Sequence, residues 1–234
     1  KEVLISSGSI ERPLVFGNND TPGVMLSSAA KEYLKVYGVL VGKKPLIFTN
    51  NDSGYETAIE FKKNGVDPII LDTRKEPKSE IIDEAKKLDI QIKFSYVVVA
   101  AKGYKKVKSA EIAKISDDKN ELGTLEAIDC DCICVSGFWT PTIHLASQSG
   151  NKTIFNKDID AFVPGLSKQN ETTLGAANGS FTLEETLKSS FDSGYQISKK
   201  ITNNDNKTSS PTVMEKKSTT HDKFWCVPLP KGKT

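Results

Sequence analysis

Asp72 is the side chain whose position first suggests chemistry. It closes the apolar run Ile69–Leu71, and an acidic residue at the end of the second strand of a dinucleotide-binding unit takes the adenosine ribose hydroxyls. Asp72 favours NAD, whereas Arg74, two residues on, would tolerate the extra phosphate of NADP. The turn that would hold the pyrophosphate is Thr49-Asn50-Asn51-Asp52-Ser53-Gly54. Such a turn normally has three glycines, for tightness, for close approach of backbone to pyrophosphate and for helix packing; here only Gly54 stands. Asn tolerates positive φ, so the turn can survive, but its side chains fill space that a pyrophosphate needs. Asp52 also sets a negative charge at the helix start, where phosphate would sit. The expectation is a unit that keeps the dinucleotide fold and has lost the ligand.

The remaining reactive side chains point to less. Cys130, Cys132 and Cys134 alternate along an apolar run, which sends all three to one face and Asp131 and Ile133 to the other. Zinc sites favour two residues between paired cysteines, and Cys226 lies far along a polar tail. Reduced thiols acting as small buried hydrophobes, with no metal, are therefore expected. His144 has no acidic partner nearby in sequence and reads as a packed residue or helix-end partner. No nucleophile–base pair can be named, so no residue is assigned as catalytic. Gly8 follows the short strand Val3–Ser6, where a missing side chain lets backbone approach a ligand or a neighbouring segment.

The elements that must position these residues alternate. Leu46–Phe48, the helical spacing of Tyr55, Ala58 and Ile59, and Ile69–Leu71 spell strand, helix, strand, which closes only as a right-handed parallel crossover. Before it, Leu26, Ala29, Ala30, Tyr33 and Tyr37 trace one face of a helix ending at Gly38. After it come a helix through Ile81, Ile82, Ala85 and Leu88, and a strand at Ile90–Phe94. Tyr96–Ala101, Val107–Ile115 and Thr124–Ile128, with turns at Gly103 and Asp117-Asp118, predict a three-stranded antiparallel meander. Cys130–Ser136 returns to the parallel sheet, a short helical piece covers Ile143–Ser147, and brief extended segments follow at Thr153–Phe155 and Ala161–Val163. Thr182-Leu183-Glu184-Glu185 is a capping box opening a long helix. Thr202–Thr220 is too poor in apolar residues to offset ordering entropy and reads as a linker, while Phe224–Pro228 is an apolar clip able to dock back onto the body or onto a following domain. The fold class is α/β, a Rossmann-like parallel sheet with an antiparallel three-stranded insertion.

Composition narrows the function. Lysine plus arginine total 32 against 30 acidic residues, so no nucleic-acid-binding face is indicated. There is no apolar run of membrane-spanning length and no signal segment, so the expected location is cytoplasmic, without a membrane partner. The chain opens on Lys1 in what looks like a buried strand and is read as part of a longer polypeptide.

Several stretches together resemble a family. Ser6-Ser7-Gly8-Ser9-Ile10-Glu11-Arg12-Pro13, Asn18–Met25 and Phe48–Ser53, followed by Val135–Pro141, His144–Gly150 and Ala161–Gly165, look like the alpha subunit of heterotetrameric sarcosine oxidase. The resemblance runs nearly to the linker. It implies the middle of a subunit built like a flavoprotein with two dinucleotide-binding domains. In that family the complete enzyme oxidatively demethylates sarcosine to glycine. FAD and FMN are expected on the partner beta subunit, and tetrahydrofolate, the one-carbon acceptor, on a C-terminal domain absent here. Beta, gamma and delta subunits are the implied partners.

The alpha subunit of that family holds NAD without using it as a hydride carrier. Flavoproteins of this build place a carboxylate on the flavin's ribityl chain at the start of the last helix, and the matching Gly175-Ala176-Ala177-Asn178-Gly179 has none. NAD is therefore expected mostly on a half missing from this chain, with Gly8, Ala176, Phe181 and Leu183 as its contacts here, the last three matching the family's contacts from a helix N-terminus. The implied domains are 1–40, a remnant of the first dinucleotide-binding half; 41–137, a second Rossmann-like domain with the meander; 138–201, a return to the first half with its closing helix; and 202–234, a linker towards a further domain. The alternatives are a structural docking module with vestigial nucleotide sites, an NAD(P)H-dependent flavin reductase, or an opine oxidase subunit.

Overall fold

The structure, a computed structural model, describes residues 1–202, 209, 211–213 and 220–230. Most of the stretch read as a linker lies outside the described residues. In chain order the elements begin with β1 (Val3–Ile5), β2 (Ser9–Glu11), β3 (Val24–Leu26), α1 (Ser27–Tyr37), β4 (Pro45–Thr49), α2 (Ser53–Lys63) and β5 (Ile69–Asp72). Then come α3 (Glu80–Lys87), β6 (Gln91–Phe94), β7 (Tyr96–Lys102), β8 (Ser109–Lys114), β9 (Glu126–Asp129) and β10 (Cys132–Ser136). The chain continues through β11 (Trp139–Pro141), α4 (His144–Gln148), β12 (Thr153–Asn156), β13 (Ala161–Pro164), β14 (Glu171–Thr173), a 3-10 turn at Gly175–Asn178, and α5 (Leu183–Thr202).

Two compact units form. The larger runs from Glu11 to Phe138 and takes in the described residues 220–230; the smaller joins Lys1–Ile10 to the chain from Trp139 onward. The two units divide between Ile10 and Glu11. The reason is pairing: β3 is hydrogen-bonded in parallel to β10, and Thr57 Oγ1 of α2 donates to the Ser27 carbonyl of α1 at 3.0 Å, so residues 24–37 belong with the later sheet.

The larger unit is a five-stranded parallel sheet in the order β3-β10-β4-β5-β6, with a separate antiparallel sheet β7-β8-β9. This is the α/β architecture expected from the alternation of strand and helix. β4 and β10 are buried at every position, as strands covered on both faces must be. One layer of core, with Ile47, Tyr55, Phe61 and Ile70, packs between sheet and helices; the other, with Phe48, Leu71, Val97 and Ile112, packs between sheet and meander. The cysteines divide between the two layers. Cys132 and Cys134 face the helices, but Cys130 lies on the meander side with Ile133 and Val135, contrary to the same-face alternation expected. Cys130 precedes β10, and Asp131 breaks the period there because its carboxylate accepts the Lys43 and Lys44 amides, both at 2.8 Å.

Helix α1 also buries a different stripe from the one traced in the sequence. Ser27, Ala30 and Leu34 face inward, while Tyr33 and Tyr37 are 47% and 65% exposed. Small residues at Ser27 and Ala30 allow close approach to α2, which aromatic residues on that face would prevent. The helix ends as expected, at Gly38 in the left-handed region (φ 65°), with Val39 N bonded to the Tyr33 carbonyl.

In the smaller unit β1 pairs in parallel with β14, and β12 with β13 as an antiparallel hairpin. The expected helix start is capped: Glu185 N donates to Thr182 Oγ1 at 3.2 Å at the start of α5. Among the described residues, no helix is long and apolar enough to cross a membrane.

Candidate functional site

In a parallel sheet, ligands bind outside the carboxyl ends of the strands where the strand order reverses. In the larger unit that point lies between β4 and β10, because the chain moves from β4 to β5 on one side and returns to β10 on the other. The residues leaving these strands are bound to one another. Asn51 Nδ2 donates to the Ser136 carbonyl at 3.0 Å, and Asn51 Oδ1 accepts the Ser53 amide at 2.8 Å, filling the first free donor of α2. Gly54 keeps one of the three glycine roles, helix packing: a Cβ there would come within 2.6 Å of Thr49 Cβ. The neighbouring α1 start is filled as well, by buried Glu11, whose Oε2 accepts the Ser28 amide at 2.7 Å. Burial pushes the Glu11 carboxyl pKa up against the lowering effect of these hydrogen bonds.

Asp72 is fully buried and already engaged. It accepts from the Tyr55 hydroxyl at 2.7 Å, from Arg74 N at 2.9 Å, and from Arg74 Nε and Nη2 at 3.0 and 2.8 Å. Arg74 Nη1 then reaches Asp52 Oδ1 at 2.8 Å, so one guanidinium spans the ribose position and the glycine-poor turn. Burial opposes the Arg74 charge, but the hydrogen bonds and charges of Asp72, then Asp52, outweigh it and raise its pKa above the ordinary value. Tyr55 is likewise held as a protonated donor, by burial first and then by the Asp72 charge. Such a paired and hydrogen-bonded cluster is stable where a lone buried charge is not.

The third layer comes from the far end of the chain. Asp222 N donates to the Asn50 carbonyl at 2.9 Å, and Asn50 Nδ2 donates to the carbonyls of Asp222 and Phe224 at 2.9 and 3.1 Å. His221 bridges Asn51 and stacks on Phe138, with ring centroids 3.9 Å apart. Phe224 and Val227 are buried in the meander-side core, and Trp225 lies under the Arg12 guanidinium at 3.3 Å. The apolar clip expected at Phe224–Pro228 thus docks onto the larger unit.

The residues predicted to contact NAD all lie in the smaller unit. β1 and β14 end side by side, Ile5 opposite Thr173, and Leu174 N donates to the Ile5 carbonyl at 2.9 Å. One strand leads into Gly8 and the other into the turn Gly175–Asn178, so two parallel strand ends present two loops together. A Cβ at Gly8 would meet no atom within 4 Å, and its φ of 75° suits glycine. Gly175 and Gly179 are also left-handed, at φ 60° and 85°; a Cβ on the latter would come within 2.9 Å of Ile159. Ala176 and Phe181 are half-buried, whereas Leu183 is 58% exposed. His144 is exposed at the start of α4.

Three curated proteins are similar to this chain in sequence. The chain is 37% identical over 184 residues to the sarcosine oxidase alpha subunit of Rhizobium meliloti (strain 1021), covering 75% of this chain and 17% of that protein. It is 32% identical over 188 residues to the alpha subunit from Corynebacterium sp. (strain P-1), covering 80% and 19% respectively. The chain is a relative of sarcosine oxidase alpha subunits. It spans less than a fifth of the length of these alpha subunits. No family model matches.

Solved structures agree on the fold of this alpha-subunit relative. Thioredoxin reductase of T. acidophilum superposes with a TM-score of 0.61 at 17% identity, over 80% of this chain and 60% of that one. L-proline dehydrogenase of P. horikoshii gives 0.57 at 19%, over 86% and 35%. The fold is the one these two oxidoreductases share, an α/β fold with a parallel sheet. What sequence reasoning missed were the partners: the bonds of Tyr55 to Asp72 and of Asn50 to residues 222–224 join groups 17 to 174 residues apart.

Proposed function

We propose that this chain is the NAD-holding and subunit-docking part of an oxidoreductase subunit of the sarcosine oxidase type. The whole enzyme would oxidatively demethylate sarcosine to glycine with tetrahydrofolate as one-carbon acceptor, in the cytoplasm. The observation that carries the reading is the 31–37% identity to three sarcosine oxidase alpha subunits across at least three quarters of the chain. In this reading NAD is held without exchanging hydride, and FAD and FMN, which supply the redox chemistry, sit on the beta subunit. Gly8 and Gly175–Gly179 would let backbone approach the NAD pyrophosphate, with Phe181 and Leu183 flanking it; the open space beside Gly8 and the paired strand ends support this fit. The larger unit does not fit a dinucleotide, because its ribose carboxylate and turn are consumed by its own side chains.

Docking to the beta, gamma and delta subunits is the complementary role of the larger unit. Its support is an apolar strip on α1, Tyr33, Val36 and Tyr37, exposed by 47%, 66% and 65%. A flavin reductase is disfavoured by one feature: Asp72 and Arg74, which would choose between NAD and NADP, are each other's partners. The test is equilibrium binding of NAD to the full-length subunit together with sarcosine-dependent oxygen consumption by the assembled complex. Phe181→Asp is expected to weaken NAD binding about tenfold, and Asp72→Asn to leave it unchanged. Tight NAD binding by the 234-residue chain that Asp72→Asn abolishes would move the site to the larger unit and overturn this reading.

A further inference from the structure

We propose that the strand-end crevice of the larger unit is a peptide site whose resident occupant is the chain's own segment 220–227, bound where a dinucleotide would lie. This goes beyond the proposed function and does not rest on it.

The segment meets each part of the crevice with a group of matching character. At the ribose end, Arg74 Nη1 donates to the Thr220 carbonyl and hydroxyl at 3.0 and 3.2 Å while its other nitrogens hold Asp72. Beside the ribose position, at the residue that follows Asp72, the segment supplies a single carboxylate. Asp222 Oδ2 accepts from Thr73 Oγ1 at 3.1 Å and pairs with Lys119 Nζ at 3.0 Å. Its backbone is read too, by Asn50 on both its amide and its carbonyl, a two-way contact suited to peptide and not to phosphate. Across β10, the His221 ring stacks on Phe138 at an interplanar angle of 6°. The docking is completed by strand-like bonding: Val15 N donates to the Trp225 carbonyl and Val227 N to the Val15 carbonyl, both at 2.8 Å. Phe224 and Val227 anchor it, 5% and 6% exposed. Asn50 in the turn is thereby explained: its side chain recognises the segment's backbone, while Asn51 meets His221 through a backbone bridge.

Hydrogen–deuterium exchange on the 234-residue chain tests this. The amides of Asp222 and Val227 are expected to exchange at least tenfold more slowly than in a free peptide of residues 220–230, and NADH at millimolar concentration is expected to add no protection to residues 49–54 or 72–74. Asp222→Arg sets a cation against Lys119 and should speed exchange across 220–227 at least tenfold while leaving α2 unchanged. A synthetic peptide of residues 220–230, added to that variant, should restore protection at 49–54 in a saturable way. Free-peptide exchange of 221–227 in the unmodified chain, or NADH protection of 49–54, would overturn the proposal. Both of these measurements use the unmodified chain and decide the matter even if Asp222→Arg fails to fold.

Discussion

The larger and smaller units each end parallel strands beside one another, yet they use those ends in opposite ways. At β4 and β10 every feature that could greet a nucleotide is turned inward: Asp72 holds Tyr55 and Arg74, Asn51 holds Ser136, and Asn50 holds the returning chain. At β1 and β14 the loops carry glycines in left-handed conformations and a half-buried aromatic residue, with open space beside Gly8. A dinucleotide fold is thus a scaffold, and whether it binds depends on whether its donors and acceptors have been satisfied internally.

The sharpest way to break this comparison is Asp72→Ala. If Asp72 were a ribose contact awaiting a ligand, its loss would cost affinity and little stability. Because it is the buried counter-ion of Arg74, with side-chain exposures of 0% and 9%, its removal is expected to destabilise the larger unit by about 3 kcal/mol, read by urea denaturation. The remaining pair of Arg74 with Asp52 keeps the loss from being larger.

A pH series sharpens the same contrast from the core. Burial, followed by the charges nearby, pushes the Cys130 thiol from 9.0 up to about 12. In the unfolded chain this thiol ionises first, so the folded state binds more protons between these values and stability falls as pH rises through that window. The thiol's contribution is complete below about pH 9. Its slope is at most about 1.4 kcal/mol per pH unit, and Cys130→Ala should flatten the alkaline limb of stability against pH by that amount.

Smaller effects are expected where the smaller unit is open. Phe181→Asp would place a carboxylate beside the NAD proposed there and should cost about 1.4 kcal/mol of NAD affinity, a tenfold rise in Kd of the full-length subunit, with thermal stability nearly unaltered. Gly8→Ala should cost about 1 kcal/mol of stability, from its left-handed backbone alone, since a Cβ there meets nothing. Thermal denaturation of the variant checks this; a loss of several kcal/mol would mean that Gly8 is packed, and the contrast between the units would fade.

Much of the architecture was legible in the residues. The parallel crossover from Pro45 to Asp72, the meander from Tyr96 to Asp129 and the capped start of α5 rest on periodicity, turn residues and caps, which act over a few positions. The missing glycines of the turn were legible too, as a reason to doubt a nucleotide there. β14 escaped, because Glu171–Thr173 is a polar run that becomes a strand only by pairing with β1, far away in sequence. The α1 stripe misled because two apolar stripes share Ala30, and only packing against α2 chooses between them.

By itself, then, the sequence determined the order and kind of the main elements, the family resemblance and the loss of two turn glycines, since these are written in neighbouring residues. Only the tertiary structure decided that Asp72 is spent on Arg74, that Cys130 parts company with Cys132 and Cys134, and that residues 220–227 lie across β4 and β10. Those outcomes depend on hydrogen bonds and burial between distant segments, where a buried polar group takes whichever partner the folded chain brings within reach.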